Sequence, residues 1–325
     1  MAARRGATVE LREVTKRYGD TVAVDHLSFT APAGRITVLI GPSGCGKTTS
    51  LRMMNRLIEP TSGEILIDGH NALQEDPTEL RRRIGYVIQQ VGLFPHRTIG
   101  QNVATVPELL GWPAARVRAR VDELLSLIGF DPARMRNRYP AQLSGGERQR
   151  VGVARAMAAE PPVMLMDEPF AAVDPIVRER LQNEFLGLQR TQGITVIFVT
   201  HDIDESNKLG DSIAIMRAGK LVQFAPPGDL LAYPADDFVA RFVGSDRGLK
   251  RLSLLTVGGA ELDPPIDPSR LDGAPVLTPA MSLRDALAQM LASETQVGIV
   301  RDGDKYLGVL TLSHIGRLLR TDDRK

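Results

Sequence analysis

The sequence predicts an α/β protein in which a mainly parallel sheet is covered by helices on both faces, followed by a smaller α+β domain. The continuous apolar run Ile36–Ile40 and the strand-like run Thr195–Val199 indicate buried strands, and helical segments alternate with such runs. A glycine-rich turn joins the first of these runs to a helix predicted over Lys47–Leu57. After Phe242 the sequence becomes rich in Gly- and Pro-containing turn signals, which indicates a second structural unit beyond them.

The remaining elements follow from periodicity and turn residues. Residues 91–160 read mostly as helices, including an amphipathic Ala114–Ile128, and a further helix is predicted at Ile176–Gln192. A C-terminal helix near Ser282–Leu291 precedes two short strands and a closing helix. The predicted strands are Thr8–Tyr18, Val22–Phe29, Ile36–Ile40, Glu64–Asp68, Val163–Met166, Thr195–Val199, Ser212–Met216, Val297–Val300 and Tyr306–Leu310.

The length of 325 residues suits one large and one small domain. We expect the large α/β domain over 1–244, with a helical subdomain at about 91–160. A Gly- and Pro-rich linker then covers 245–275, and a small module covers 276–325.

The composition excludes several classes of protein. With 43% hydrophobic and 24% charged residues the chain is globular in type, and a formal net charge of +1 gives no electrostatic reason to expect nucleic acid as a partner. Cys45 is the only cysteine, so no intramolecular disulfide can form. No signal peptide and no run of about 20 apolar residues is present. We therefore expect a soluble intracellular protein that relies on another chain for any membrane crossing.

The strongest motif is the glycine-rich loop over residues 41–49, which matches G-x-x-x-x-G-K-[ST] and lies between a buried strand and a helix. Glycines let successive N–H groups point inward and bind phosphate oxygens at the helix N-terminus. Lys47 is expected to reach the β- and γ-phosphates of ATP, and the Thr48 hydroxyl to bind Mg²⁺. The predicted ATP-binding residues of this loop are Gly41, Ser43, Gly44, Cys45, Gly46, Lys47, Thr48 and Thr49.

Two later strands end in chemically useful side chains. Asp167 and Glu168 follow the run at 163–166, at the edge of an open sheet where ligands bind. Asp167 is placed to bind Mg²⁺, and Glu168 to accept a proton from the attacking water. His201 follows the run at 195–199, where it can donate a hydrogen bond to the transferring phosphoryl group.

These residues belong to a larger set that resembles the ATPases of ABC transporters, with their P-loop NTPase core, antiparallel β part and helical subdomain. Leu143–Arg150 resembles the signature motif of that family, and it offers a second helix N-terminus for phosphate. The resemblance, which covers about Thr8–Val243, implies a homodimer that holds two ATP molecules between its subunits. It also implies that the signature residues contact the partner's ATP; they are Ser144, Gly145, Gly146 and Glu147.

Three further matches fall in family order. Gln89 resembles the glutamine that senses Mg²⁺ and contacts the permease side, and Tyr18 the aromatic residue that stacks on adenine. Asp174 lies where the dimer-contact aspartate is expected, although Ala171 replaces the more usual serine of that segment.

Narrower features resemble one subfamily, the osmoprotectant importers for glycine betaine, carnitine or choline. They are Asn55–Gly63 and Ile88–His96. This resemblance implies permease subunits, an extracytoplasmic substrate-binding protein, and a location at the cytoplasmic face of the membrane. It is an analogy, because the solute does not touch an ATPase subunit.

The C-terminal segment Val276–Arg320 resembles a single CBS module. Thr311 fits the adenosine-type site of such modules, whereas His314 stands where an aspartate normally holds the ribose hydroxyls. Two roles stay open for it, namely structural dimerisation and the sensing of a ligand or of ionic strength.

Several alternatives remain at this point. An importer ATPase for another small solute fits most of the same residues. An exporter ATPase is disfavoured by the CBS-like tail, and a soluble ABC ATPase acting on DNA or ribosomes by the lack of a second ATPase unit or long coiled coils. A regulator built around the C-terminal module is disfavoured by the complete ATPase motif set.

Overall fold

The computed structural model describes residues 6–88, 92–171, 173–267 and 271–319. The chain divides into two compact units after Phe224, near the end of a strand. The strands up to that point are β1 (Val9–Tyr18), β2 (Thr21–Ala31), β3 (Ile36–Ile40), β4 (Ser62–Ile67), β5 (His70–Asn71), β6 (Ile84–Val87), β7 (Val163–Asp167), β8 (Thr195–Val199), β9 (Ser212–Arg217) and β10 (Lys220–Ala225). The helices are α1 (Lys47–Met54), α2 (Pro77–Arg83), α3 (Ile99–Leu109), α4 (Ala114–Leu127), α5 (Pro132–Met135), α6 (Gly145–Met157), α7 (Pro175–Gln192) and α8 (Ile203–Leu209).

The main sheet of the first unit has the order β10-β9-β3-β8-β7-β6. Strands β9, β3, β8, β7 and β6 run parallel. Every residue of β3, β7 and β8 is buried, as expected of apolar strands covered on both faces. The predicted α/β class is therefore confirmed, and the carboxyl ends of β3, β8 and β7 lie side by side at one edge.

A second sheet of order β2-β1-β4-β5 is antiparallel at each of its three strand pairs. It shares one apolar core with α1 and the main sheet, formed by residues such as Leu11, Leu27, Leu51 and Val199. Helix α1 thus packs between the two sheets, and this packing fixes the start of the helix next to the loop after β3.

Helices α3 to α6 form the helical part of the first unit, within the predicted range 91–160. Two of them start with reciprocal capping boxes, Thr98 with Gln101 in α3 and Ser144 with Glu147 in α6. Each box satisfies N–H groups that a helix start otherwise leaves unpaired, so both starts are sharply defined.

The second unit has helices around a three-stranded sheet of order β11-β12-β13. Its apolar core includes Leu252, Leu277, Met290 and Leu310. The elements are α9 (Pro227–Ala232), α10 (Asp237–Val243), α11 (Arg247–Leu254), β11 (Val276–Leu277), α12 (Leu283–Ala292), β12 (Val297–Asp302), β13 (Lys305–Thr311) and α13 (Leu312–Leu319).

The structure differs from expectation in the predicted linker 245–275, since α11 lies inside it. Leu252 of α11 is fully buried in the core of the second unit. Glycines and prolines further along the segment dominated its composition, while the helix depends on tertiary burial that no local pattern reveals. Among the described residues, no helix combines the length and the apolar character needed to cross a membrane.

Candidate nucleotide site

The loop after β3 has a backbone that only glycine can follow at two positions. Gly41 and Gly46 have φ values of 150° and 104°. A Cβ at Gly41 would lie 2.1 Å from the Met216 carbonyl oxygen, and one at Gly46 would lie 2.6 Å from that of Ala23. Gly46 also precedes α1 without any side-chain cap. The first N–H groups of α1 therefore point toward the loop, where they can bind phosphate.

Lys47 lies against this loop. Its side chain is buried, and its Nζ donates hydrogen bonds to the carbonyl oxygens of Gly41 at 2.8 Å and Pro42 at 3.0 Å. The ammonium is thus held at the turn that the N–H groups surround.

Thr48 and Asp167 come from different elements and meet. The Thr48 hydroxyl donates to Oδ1 of Asp167 at 3.1 Å. Asp167 is only 6% exposed, and burial raises the pKa of its carboxyl, although the Thr48 hydrogen bond opposes that shift. A buried carboxylate beside a hydroxyl presents hard oxygen ligands, so the pair fits Mg²⁺.

No group of three or more His, Cys, Asp or Glu residues suited to a metal occurs in the described ranges. Protein sites commonly hold Mg²⁺ through one or two side chains together with the oxygens of a bound phosphate.

Glu168 and His201 form the second pair of the site. His201 Nδ1 lies 3.1 Å from Oε1 of Glu168, a hydrogen bond in the tautomer that carries its proton on Nδ1. The Glu168 backbone has a left-handed φ of 46°, and its N–H donates to the Val199 carbonyl oxygen at 2.9 Å. A non-glycine residue in this region costs on the order of 1 kcal/mol, and such strain collects at functional sites.

The signature segment forms the start of α6. Ser144 caps the helix, and its own N–H donates to the Glu147 carboxylate at 2.7 Å, which lowers the pKa of that carboxyl. A Cβ added at Gly145 would meet no atom within 4 Å. Packing within one chain therefore gives no reason for a glycine at this position.

Comparison with known proteins agrees with this geometry. The family model described as "ABC transporter" matches residues 24–171. The osmoprotectant import ATP-binding protein OsmV of Salmonella typhimurium is 54% identical over 255 residues, which are 77% of this chain and 67% of that protein. The chain belongs to the ABC transporter ATP-binding family. The predicted family, its ATP-hydrolysing activity and its fold class are thereby confirmed.

Two further relatives of this ABC protein extend the comparison. The glycine betaine/carnitine/choline transport ATP-binding protein OpuCA of Bacillus subtilis is 54% identical over 74% of this chain, but the match spans only 63% of that relative. The glycine betaine uptake system ATP-binding protein YehX of Escherichia coli is 47% identical over 89% of this chain and 92% of its own length.

Among solved structures, the dimeric ATP-binding cassette MJ0796, in a post-hydrolysis state with ADP and Pi bound, superimposes with a TM-score of 0.61. It is 34% identical and covers 67% of this chain and 98% of its own.

Two other predicted residues of the ABC cassette lie at the ends of secondary-structure elements. Tyr18 ends β1 with its ring half exposed, and the Lys16 ammonium lies 5.0 Å from the ring centroid. Asp174 is exposed and directly precedes α7. Gln89 lies outside the described residues. In the described part of the chain, no hydrogen bond links residues 144–147 to the loop at 41–49.

Three residues of the ABC site were not predicted from the sequence. Arg52 lies near enough to Asp167 to lower the pKa of that carboxyl, against the effect of burial. It stands four positions after Thr48 on the same face of α1, a spacing that could have revealed it. Beside His201, Asp202 caps α8, and the buried Glu205 accepts a hydrogen bond from Gln182 of α7 at 2.9 Å.

Proposed function

We propose that this chain is the ATP-hydrolysing subunit of an importer that takes up a quaternary-amine osmoprotectant of the glycine betaine, carnitine or choline type through a separate permease. The assignment as the ATP-hydrolysing subunit rests on one observation. The Thr48–Asp167 and Glu168–His201 pairs lie at the same edge of the sheet. The solute class is supported by the names of relatives that are 54% identical.

ATP is the substrate, and its phosphates bind the N–H groups of the loop over 41–49 together with Lys47. Thr48, Asp167 and Gln89 are the residues that would hold Mg²⁺, whose chemistry is to neutralise charge on the β- and γ-phosphates. The flat, half-exposed ring of Tyr18 offers a surface on which adenine can stack.

The chain works as a homodimer in this proposal. Ser144, Gly145, Gly146 and Glu147 of each subunit contact the ATP of the other. The open space around Gly145 supports such an approach, because a backbone without Cβ lets phosphate come close to N–H groups at a helix start. The related cassette of known structure is a dimer.

Hydrolysis follows from the second pair. Glu168 accepts a proton from the attacking water, and His201 donates a hydrogen bond to charge developing on the γ-phosphate. Asp174 contributes the contact between subunits. Both the water and the phosphate are enclosed when the dimer closes, which strengthens the electrostatic interactions inside.

The remaining parts of the proposal concern partners and regulation. Permease subunits bind near Gln89, an extracytoplasmic substrate-binding protein acts through them, and the ATPase lies at the cytoplasmic face of the membrane. The CBS-like tail serves either dimerisation or sensing of a ligand or ionic strength.

The test is uptake of labelled glycine betaine and choline by osmotically stressed cells that carry either native protein or Glu168→Gln. Uptake of either solute that disappears in the variant supports both parts of the proposal. If the purified protein hydrolyses ATP while neither uptake depends on it, the motor assignment stands and the osmoprotectant assignment is wrong.

A further inference from the structure

A small cavity of about 20 Å³ lies between α6 and α7, closed on a third side by the end of α4. Most of its wall is apolar and comes from residues such as Val153, Phe170 and Phe185. A space of roughly 10–15 Å³ by the same measure is enough for one water molecule. The cavity therefore has room for one water and for nothing much larger.

The described residues that line this cavity include three polar side chains, Gln149 and Arg150 of α6 and Glu184 of α7. Each has one buried polar atom without a hydrogen-bond partner among the described residues: Nε2 of Gln149, Nε of Arg150 and Oε2 of Glu184. Buried polar groups are almost always paired, with protein or with ordered water. Three such atoms around one cavity point to a shared partner inside it.

Other contacts hold these side chains in place. Oε1 of Glu184 accepts a hydrogen bond from Arg180 at 2.8 Å. The Arg150 guanidinium donates through Nη1 to the Ile128 carbonyl oxygen at 3.0 Å and lies 4.2 Å from the ring centroid of Phe130. Gln149 is only 2% exposed. The Gln149 amide therefore has little access to bulk solvent.

We propose that the cavity binds a single water molecule that accepts hydrogen bonds from Gln149 Nε2 and Arg150 Nε and donates one to Glu184 Oε2. Water has two lone pairs and two O–H groups, so it complements two donors and one acceptor. The guanidinium disfavours a metal cation at this place, and the carboxylate disfavours an anion.

The water joins two helices that carry different parts of the nucleotide site. Helix α6 begins with the signature glycines, and α7 begins directly after Asp174. Gln149, Arg150 and Glu184 are thus positioning residues, which act on the site only by fixing where α6 starts relative to α7. This role rests on the proposed function, whereas the water site itself does not.

The first test is a crystal structure of the full chain at a resolution that shows ordered waters. We expect one peak within hydrogen-bond distance of all three atoms. An empty cavity, or direct pairing among the three side chains, would overturn the proposal. Either result is independent of whether the protein hydrolyses ATP.

The second test is Gln149→Met, which keeps the side-chain length but removes the donor, with Gln192→Met near the end of α7 as the control. We expect the thermal midpoint of Gln149→Met to fall by ~2–6 °C, as a lost buried hydrogen bond predicts. Its kcat for ATP hydrolysis should fall by roughly 2- to 30-fold, while the ATP affinity of the single chain stays unchanged.

The outcomes of these tests distinguish the positioning role of the cavity residues from the proposed function. An unchanged kcat alongside a visible water would refute the positioning role. An ATP affinity that falls together with kcat would show general damage to the fold and would also refute that role. Absent ATPase activity in the native chain would count against the proposed function alone.

Discussion

The Nδ1 atom of His201 lies 3.1 Å from Oε1 of Glu168, so two neighbouring strands of the sheet end in one paired acid and imidazole. The pairing depends on backbone as well as side chains, because the Glu168 N–H is tied to the Val199 carbonyl oxygen of the adjacent strand. The Glu168 carboxylate is mostly buried, while the imidazole is 66% exposed. The carboxylate is therefore held in one orientation with its partner facing outward.

Replacing Glu168 with Gln should leave ATP binding intact and lower the rate of hydrolysis by ~10²–10⁴-fold, the usual effect of removing a general base. The amide keeps the shape of the side chain but does not accept the proton of water. Phosphate release and equilibrium ATP binding, measured on the same preparation, check the prediction. Glu179→Gln on the exposed face of α7 is the matched control and should hydrolyse ATP normally. Near-normal turnover of Glu168→Gln would remove that residue from its role.

Replacing Gly145 with Ala tests whether the signature segment acts through another molecule. A Cβ there meets nothing within 4 Å, so the variant should fold and be as stable as the native chain, or up to ~1 kcal/mol more stable. Its ATPase rate should nevertheless fall at least ~10-fold, since the added methyl group blocks approach of the partner's phosphate.

The control for this variant is Gly187→Ala, a glycine within α7 that also has open space around its Cβ position. It should gain the same stability without losing activity. If both variants hydrolyse ATP at the native rate, no molecule approaches Gly145 during turnover.

Replacing Asp167 with Asn should raise the stability of the chain without nucleotide and remove the stabilisation that MgATP brings. Burial raises the pKa of Asp167 above the ordinary 3.8, so the folded state binds the proton more tightly than the unfolded state. The free energy of unfolding therefore falls as the pH rises from the ordinary pKa through the raised pKa of the folded state. Above both pKa values the buried carboxylate is charged, and its full destabilising effect remains.

Thermal unfolding at neutral pH measures this effect. Without MgATP we expect Asp167→Asn to be more stable by on the order of 1 kcal/mol, because the buried charge is gone. With ligand at about 100 times its Kd, the native chain should gain about 2.7 kcal/mol and the variant much less. An equal gain in both chains would show that Asp167 takes no part in holding the ligand.

The sequence predicted those strands and contacts that depend on a single local pattern of residues. Strands β3 and β8 have the predicted bounds because each is a mainly apolar run of five residues that is buried throughout. The meeting of Thr48 with Asp167 was also predictable, since the carboxyl ends of parallel strands share one edge.

Features set by tertiary contacts were not predictable in the same way. The left-handed backbone of Glu168 depends on its bond to β8, and its pairing with His201 depends on that backbone. Helix α11 was missed because its eight residues owe their order to the burial of Leu252. Strand β6 was missed because it has only four residues and contains Gly85.

Cys45 offers a chemical test of the nucleotide loop, because it is the only cysteine of the sequence and each chain can take up only one label. Its Sγ lies 3.7 Å from the Lys47 Nζ, and the residue is only 3% exposed. A label such as an N-ethylmaleimide adduct does not fit beside the ammonium unless the loop moves, so alkylation should abolish ATP binding. Prior addition of MgATP should slow labelling, and Cys45→Ser should bind ATP and resist the reagent. Complete labelling with unchanged ATP affinity would place the phosphates away from this loop.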